Sequence, residues 1–171
     1  MPLVKGGKIA IDAFVRVADD AELPDGDAVL ISAARFLGNP EAISLRLGKT
    51  GVIWPNNRDI DDLVPYLDRL AVVALVFPTF RDGRAYSQAR LLRERYRFRG
   101  ELRATGQVLR DQFVFMLRAG FDAFEVGKES DADAFTNTAG RYSVFYQPTG
   151  DGRLTALHHR MQLRPSQGAS Q

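Results

Sequence analysis

The sequence predicts an α/β domain of about five βα units around a parallel sheet. Three observations carry that prediction. Short apolar runs recur at a nearly constant interval. Amphipathic helical patterns fill the gaps between them. One run, VVALVF (72–77), is apolar throughout, as a strand covered on both faces must be. The runs DAVLIS, GVIW, VVALVF, ELRAT and DAFEV begin at residues 27, 51, 72, 101 and 122. Such spacing holds one strand, one helix and two loops, and consecutive units of this kind cross over right-handedly. Five units suit either a flavodoxin-like open sheet or a partial TIM-barrel-like wall. A partial barrel exposes strand edges that a second copy would cover, so a homodimer is one expectation.

Taken in order, KIAIDAFVRV (8–17) alternates in polarity and reads as an added or edge strand. In NPEAISLRLG, Asn39 is placed to cap a helix, Pro40 to open it and Gly48 to stop it. DIDDLVPYLDRL spaces Ile60, Leu63, Leu67 and Leu70 at helical intervals, with acids in the first turn. A third helix carries Ala85, Ala89, Leu92 and Tyr96 on one stripe, and a fourth carries Leu109, Phe113, Met116 and Leu117 before Gly120. A fifth sets Phe135, Ala139, Tyr142 and Tyr146 in line before Pro148. LTALHHRMQL (154–163) alternates like KIAIDAFVRV and predicts a C-terminal strand, with His159 on its packed face. RPSQGASQ (164–171) reads as a disordered tail. Nothing divides the chain, so residues 1–163 are expected to form one domain.

Composition narrows the chemistry. The 171 residues contain no cysteine, which excludes disulfides, thiol catalysis and thiolate-held metals or clusters. No apolar run approaches the roughly 20 residues needed to span a bilayer, and the N-terminus lacks the pattern of a signal peptide. A cytoplasmic protein is the expectation. The formal net charge is +2, but residues 81–110 hold nine arginines against three acids, a local +6. Arginine's planar fork suits phosphate, sulfate and carboxylate.

In parallel α/β folds, ligands collect beyond the carboxyl ends of the strands. The loops at 78–90 and 103–112 are therefore the expected site. Arg84, Ser87, Arg103 and Gln112 are candidates to hold an anion. Asp82, Tyr86 and Asp111 are the candidate catalytic groups if the loops perform a reaction. The plainer reading is that Asp82 caps a helix and pairs with Arg84. Arg90, Arg93 and Arg97 fall on one helical face, either a solvated row or a surface for docking a partner. Asp59, Asp61 and Asp62 serve a helix dipole more readily than a metal, and no metal is expected. LGKT (47–50) lacks the upstream glycine of a phosphate loop, and no GxGxxG occurs. No cofactor is expected.

The stretch FPTFRDGRAYSQARLLRERYRFRGELRATGQVLRDQFVFMLRAGFDAFEV (77–126), with YQP at 146–148 as a weaker echo, closely resembles the DUF934 proteins, giving a family-like core of 77–148. The motif positions include Asp82, Gly83, Arg84, Tyr86, Ser87, Arg90, Gly100, Glu101, Arg103, Gly106, Asp111 and Gln112. Members of that family are labelled probable oxidoreductases of sulfite reduction, because their genes lie beside those of sulfate assimilation. The resemblance thus implies a pathway. The expectation is an accessory protein of assimilatory sulfate and sulfite reduction. It would bind an anionic metabolite of that pathway or dock on sulfite reductase. An oxidoreductase or other enzyme of the pathway using the same loops is the alternative. Nucleic-acid binding ranks last, because the local charge is modest and the arginines lack interleaved exposed aromatics.

Overall fold

The computed structural model describes residues 1–140, 145–146, 149 and 155–162, with backbone only at 139, 140, 159 and 162. Eight strands form one sheet. They are β1 (Leu3–Lys5), β2 (Lys8–Ala10), β3 (Val15–Arg16), β4 (Val29–Ser32), β5 (Thr50–Trp54), β6 (Leu70–Phe77), β7 (Glu101–Gly106) and β8 (Ala123–Glu125). The last five are the five runs read from the sequence. The described helices are α1 (Ala33–Gly38), α2 (Pro40–Ser44), α3 (Arg84–Arg90), α4 (Phe113–Ala119), α5 (Asp131–Gly140) and α6 (Ala156–Gln162). A ten-residue 3₁₀ helix (Ile60–Arg69) links β5 to β6, and a π turn (Leu91–Arg95) extends α3. Asn39 caps α2 by accepting from Ala42 N, and Asp59 caps the 3₁₀ helix by accepting from Asp61 N at 3.0 Å.

The strand order β2-β1-β8-β7-β6-β5-β4-β3 separates the two candidate folds. From β3 to β8 the strands are parallel and adjacent in chain order, whereas a flavodoxin-like sheet reverses direction partway. Right-handed crossovers between sequential strands put every connecting helix on one face. The main core records this. Val52, Val73, Leu75, Leu102 and Phe124 of the strands pack with Phe36, Leu63, Ala89 and Met116 of the helices in one cluster. The sheet is singly wound, like a length of barrel wall.

It is also curled. β2 and β3 are separated in sequence by only four residues, yet stand at opposite ends of the strand order. Residues 10 and 15 are at most about 17 Å apart along an extended chain, so the two ends of the sheet approach each other. Arg16 on β3 donates through Nη2 to Glu125 on β8 and to Thr105 Oγ1 on β7, the latter at 3.4 Å. Five strand spacings of a flat sheet measure roughly 24 Å, far beyond an arginine's reach. The concave face is filled by a small cluster of Leu30, Val72 and Ala74 packed with Phe14 and Ile53, and by charged groups described below.

Two expectations change. KIAIDAFVRV is not one strand but two short ones, β2 and β3, pairing at opposite ends of the sheet. LTALHHRMQL contains helix α6 in place of a strand. Thr155 starts that helix by accepting from His158 N at 3.4 Å. Residues 156–162 contain no β-branched side chain to favour extension. Leu157 and Met161 are exposed on it. Tyr142 and the tail at 164–171 lie outside the described residues.

Candidate functional site

Because β5 and β6 are parallel neighbours, the loops that leave them, Pro55–Asp59 and Pro78–Gly83, lie side by side at the carboxyl end of the sheet. Strand β6 leads into α3, which presents three faces. Ala85, Gln88, Ala89 and Leu92 are buried. Arg84, Ser87, Gln88 and Leu91 turn toward the β5 loop, while Tyr86 and Arg90 turn toward α4.

The β5 side holds a cavity of about 400 Å³. Its wall includes Asn56, Arg58, Arg84, Ser87, Gln88 and Leu91. Gln88 staples α3 to the loop, its Nε2 donating to Arg58 O at 2.8 Å and Pro55 O at 3.2 Å. Its Oε1 is buried and accepts no hydrogen bond. The Arg58 guanidinium lies 5.8 Å from the centroid of the buried Trp54 ring. Among the described residues no carboxylate lies within 4.0 Å of it.

Arg84 differs in this respect. Its Nε donates to Asp82 Oδ1 at 3.0 Å and its Nη2 to Oδ2 at 2.7 Å. The backbone N–H of Arg84 also donates to Asp82 Oδ1. The hydrogen bond from Arg84 holds the Asp82 carboxyl far below the usual carboxylate range, with the nearby Asn56 amide adding to the effect. Asp82 and Arg84 thus form the capped turn and ion pair of the plainer reading, and Asp82 occupies the position that an external anion would take on that fork.

Behind α3, a second cavity of about 810 Å³ opens toward α4, walled by Tyr86, Arg90, Gln112, Phe115, Arg118 and Tyr146. Tyr86 meets Phe77 edge-on at 5.2 Å, and burial pushes its phenol up to about 12. Gln112 Nε2 donates to Phe80 O at 2.9 Å, and Gln107 Oε1 accepts from Phe80 N at 3.1 Å, which ties the β6 and β7 loops together. The approach depends on Gly106, which has φ +91° and sits so close to Phe77 that a Cβ would stand 2.4 Å from its carbonyl oxygen. Asp111 is exposed at the rim, 4.0 Å from Arg110. The residues expected to share one pocket are therefore divided by α3, with Arg84 and Ser87 on one side and Tyr86 and Gln112 on the other.

Arg103 belongs to neither cavity. It lies in the middle of β7 with its side chain on the concave face, 0% exposed. Its Nε donates to Glu101 Oε1 at 2.8 Å, Nη1 and Nη2 to the two oxygens of Asp12 at 2.6 and 3.0 Å, and Nη1 to Glu125 Oε1 at 3.2 Å. The expected anions at Arg103 are thus the protein's own carboxylates. Lys5 and Arg16 close the set on Glu101 and Glu125.

The arginine row is likewise redistributed. Arg93 is a structural cap, its Nε donating to Gly120 O and Nη1 to Gly100 O, both at 2.9 Å, with Nη2 on Asp122. Gly120 closes α4 at φ +103°. Arg90 pairs with Glu94 at 3.2 Å. The π turn widens the helix after Arg90, and Arg97 stands beyond its end at φ 55°. The three do not share a helical face.

A family model described as a bacterial protein of unknown function (DUF934) matches residues 51–157, more than half of the chain. The chain belongs to the DUF934 family. The match runs from β5 into α6, so the DUF934 region includes Arg58 and both loops around α3 and extends well before Phe77. No curated protein matches the chain. Among the described residues, no helix of this DUF934 protein is long and apolar enough to cross a membrane.

Arg58 is the group that sequence reasoning missed. PNNRDIDD marks a strand-end loop, but nothing in that string shows that Asp59 turns to cap its own helix and leaves the arginine without a carboxylate.

Proposed function

We propose that this DUF934 protein is a cytoplasmic accessory of assimilatory sulfate and sulfite reduction that binds an anionic metabolite of the pathway in the cavity between the β5 loop and α3. The pathway is the one implied by the family resemblance. The observation that carries the binding site is Arg58, a guanidinium without a carboxylate partner at the carboxyl end of a parallel strand, where such folds hold ligands. Ser87 and the outer edge of Arg84 stand across the cavity from it. Docking on sulfite reductase through the arginine row has less support, because Arg93 is spent on backbone carbonyls. Catalysis by Asp82 or Asp111 is also less favoured. Asp82 is held as a carboxylate by Arg84, and Asp111 points into solvent, whereas a general base works best with a pKa near the operating pH.

Sulfite and sulfate are expected to raise the melting temperature of the wild-type protein. At a hundredfold excess over Kd, binding adds about 2.7 kcal/mol, or roughly 5–10 °C for a chain of this size. Arg58→Ala is expected to remove the shift, and Arg90→Ala, on the other side of α3, to leave it intact. A shift unaffected by Arg58→Ala, or no shift with any sulfur oxyanion of the pathway, would count against the proposal.

A further inference from the structure

Beside Arg58, the same cavity contains an unsatisfied group of the opposite kind, and this narrows the ligand. Gln88 is 7% exposed. Its amide is fixed in orientation, because turning it over would break both bonds from Nε2 to Pro55 O and Arg58 O. Oε1 is thereby left buried in the cavity wall as an acceptor without a donor. Arg58 asks for a negative acceptor, and Gln88 asks for an N–H or O–H. The sulfate dianion meets the first demand and not the second. Size argues the same way. A five-atom oxyanion takes the space of two or three waters at about 30 Å³ each, whereas the cavity measures about 400 Å³, within the range of sites for small organic ligands.

We infer that the ligand is an organic oxyanion ester, a phosphate or sulfate carried by a sugar or nucleoside body that bears hydrogen-bond donors. The inference rests on the reading above that this cavity takes an anion. The charged end sits on Arg58, a hydroxyl or amine of the body donates to Gln88 Oε1, and Leu91 covers an apolar part of the body. Asn56, buried in the same wall, supplies a further amide for the body's polar edge.

Calorimetric titration of the full chain at pH 8 with sodium sulfate, methyl phosphate, ribose 5-phosphate and AMP tests this. Ribose 5-phosphate or AMP is expected to bind at least about tenfold more tightly than sulfate and methyl phosphate, a preference of one decade in Kd. Arg58→Ala should weaken that binding by at least about tenfold. Gln88→Met, which removes the acceptor at similar volume, should bring the preferred ester and methyl phosphate within about threefold of each other. If Gln88→Met does not fold, the wild-type ligand series carries the test alone. Equal affinities across the series would overturn the ester inference and leave the anion site standing. Ester binding that ignores Arg58→Ala, or no binding by any of the four, would overturn both.

Discussion

Arg103→Met is expected to lower the melting temperature by roughly 6–20 °C, from about 3–5 kcal/mol for removing one partner of a buried ion cluster and about 2–4 °C per kcal/mol at this chain length. The cost does not come from losing attraction alone. Asp12, Glu101 and Glu125 meet at Arg103 from three segments, residues 11–14, β7 and β8. Without the guanidinium, Glu125, only 3% exposed, becomes a buried carboxylate held by Thr105 and Arg16 alone. The segment between β2 and β3 also loses its bidentate anchor, so the curl of the sheet should loosen with it. Arg103→Lys keeps a charge but not the fork, and should fall between wild type and methionine. Differential scanning calorimetry of the three proteins decides the matter. A methionine variant as stable as wild type would mean that this network does not hold the concave face together.

The same carboxylates should make stability fall in acid. Burial by itself would raise the pKa of Glu125. Hydrogen bonds from Thr105, Arg16 and Arg103 and the charge of Arg16 outweigh that, so its pKa is lowered in the folded protein. Asp12 follows the same pattern, with burial opposed mainly by the hydrogen bond from Arg103. Both groups bind protons more readily when unfolded. Their contribution is therefore complete above the unfolded carboxylate range, about 3.9 for Asp and 4.3 for Glu, and is lost as pH falls through the lowered folded values. Tm measured from pH 7 to 2.5 for wild type and Glu125→Gln should show a constant gap above about pH 5 and a narrowing one below about pH 4. A gap independent of pH would contradict the assignment of Glu125 as a charged member of the network.

How far the fold was legible depended on which signals repeat. The strands β4 to β8 were visible because each βα unit restates the same apolar run at a similar interval. Strand order was not visible, because order follows from how α1, α3 and α4 all settle on one face. The short strands β2 and β3 pair with residues far away in sequence, and their alternation says nothing about which edge they join. LTALHHRMQL shows how alternation misleads when the residues are good helix formers and a threonine is placed to cap them.

The site was half legible. The loops after β5, β6 and β7 were found because parallel strands all end on one side. Their division into two cavities depends on the rotation of α3 about its axis, which Gln88 fixes by bonding the β5 loop. A signal for Arg103 was present in ELRATG. Glu101, Arg103 and Thr105 share one face by the two-residue period, which places the guanidinium in the middle of a strand with a carboxylate beside it. Its other two partners lie 91 and 22 residues away in sequence, beyond any local pattern. The breakdown of the arginine row follows from a π turn that no residue in LLRER announces.

The most direct test of the account is to record backbone amide shifts of the ¹⁵N-labelled protein while sulfite or AMP is added. The cavity between the β5 loop and α3 predicts that the largest changes cluster at Asn56–Asp59, Arg84, Ser87 and Gln88, and that they vanish in Arg58→Ala. Changes gathered at Val114, Phe115 and Arg118 would put the ligand in the other cavity, behind α3, and would contradict the assignment of the site.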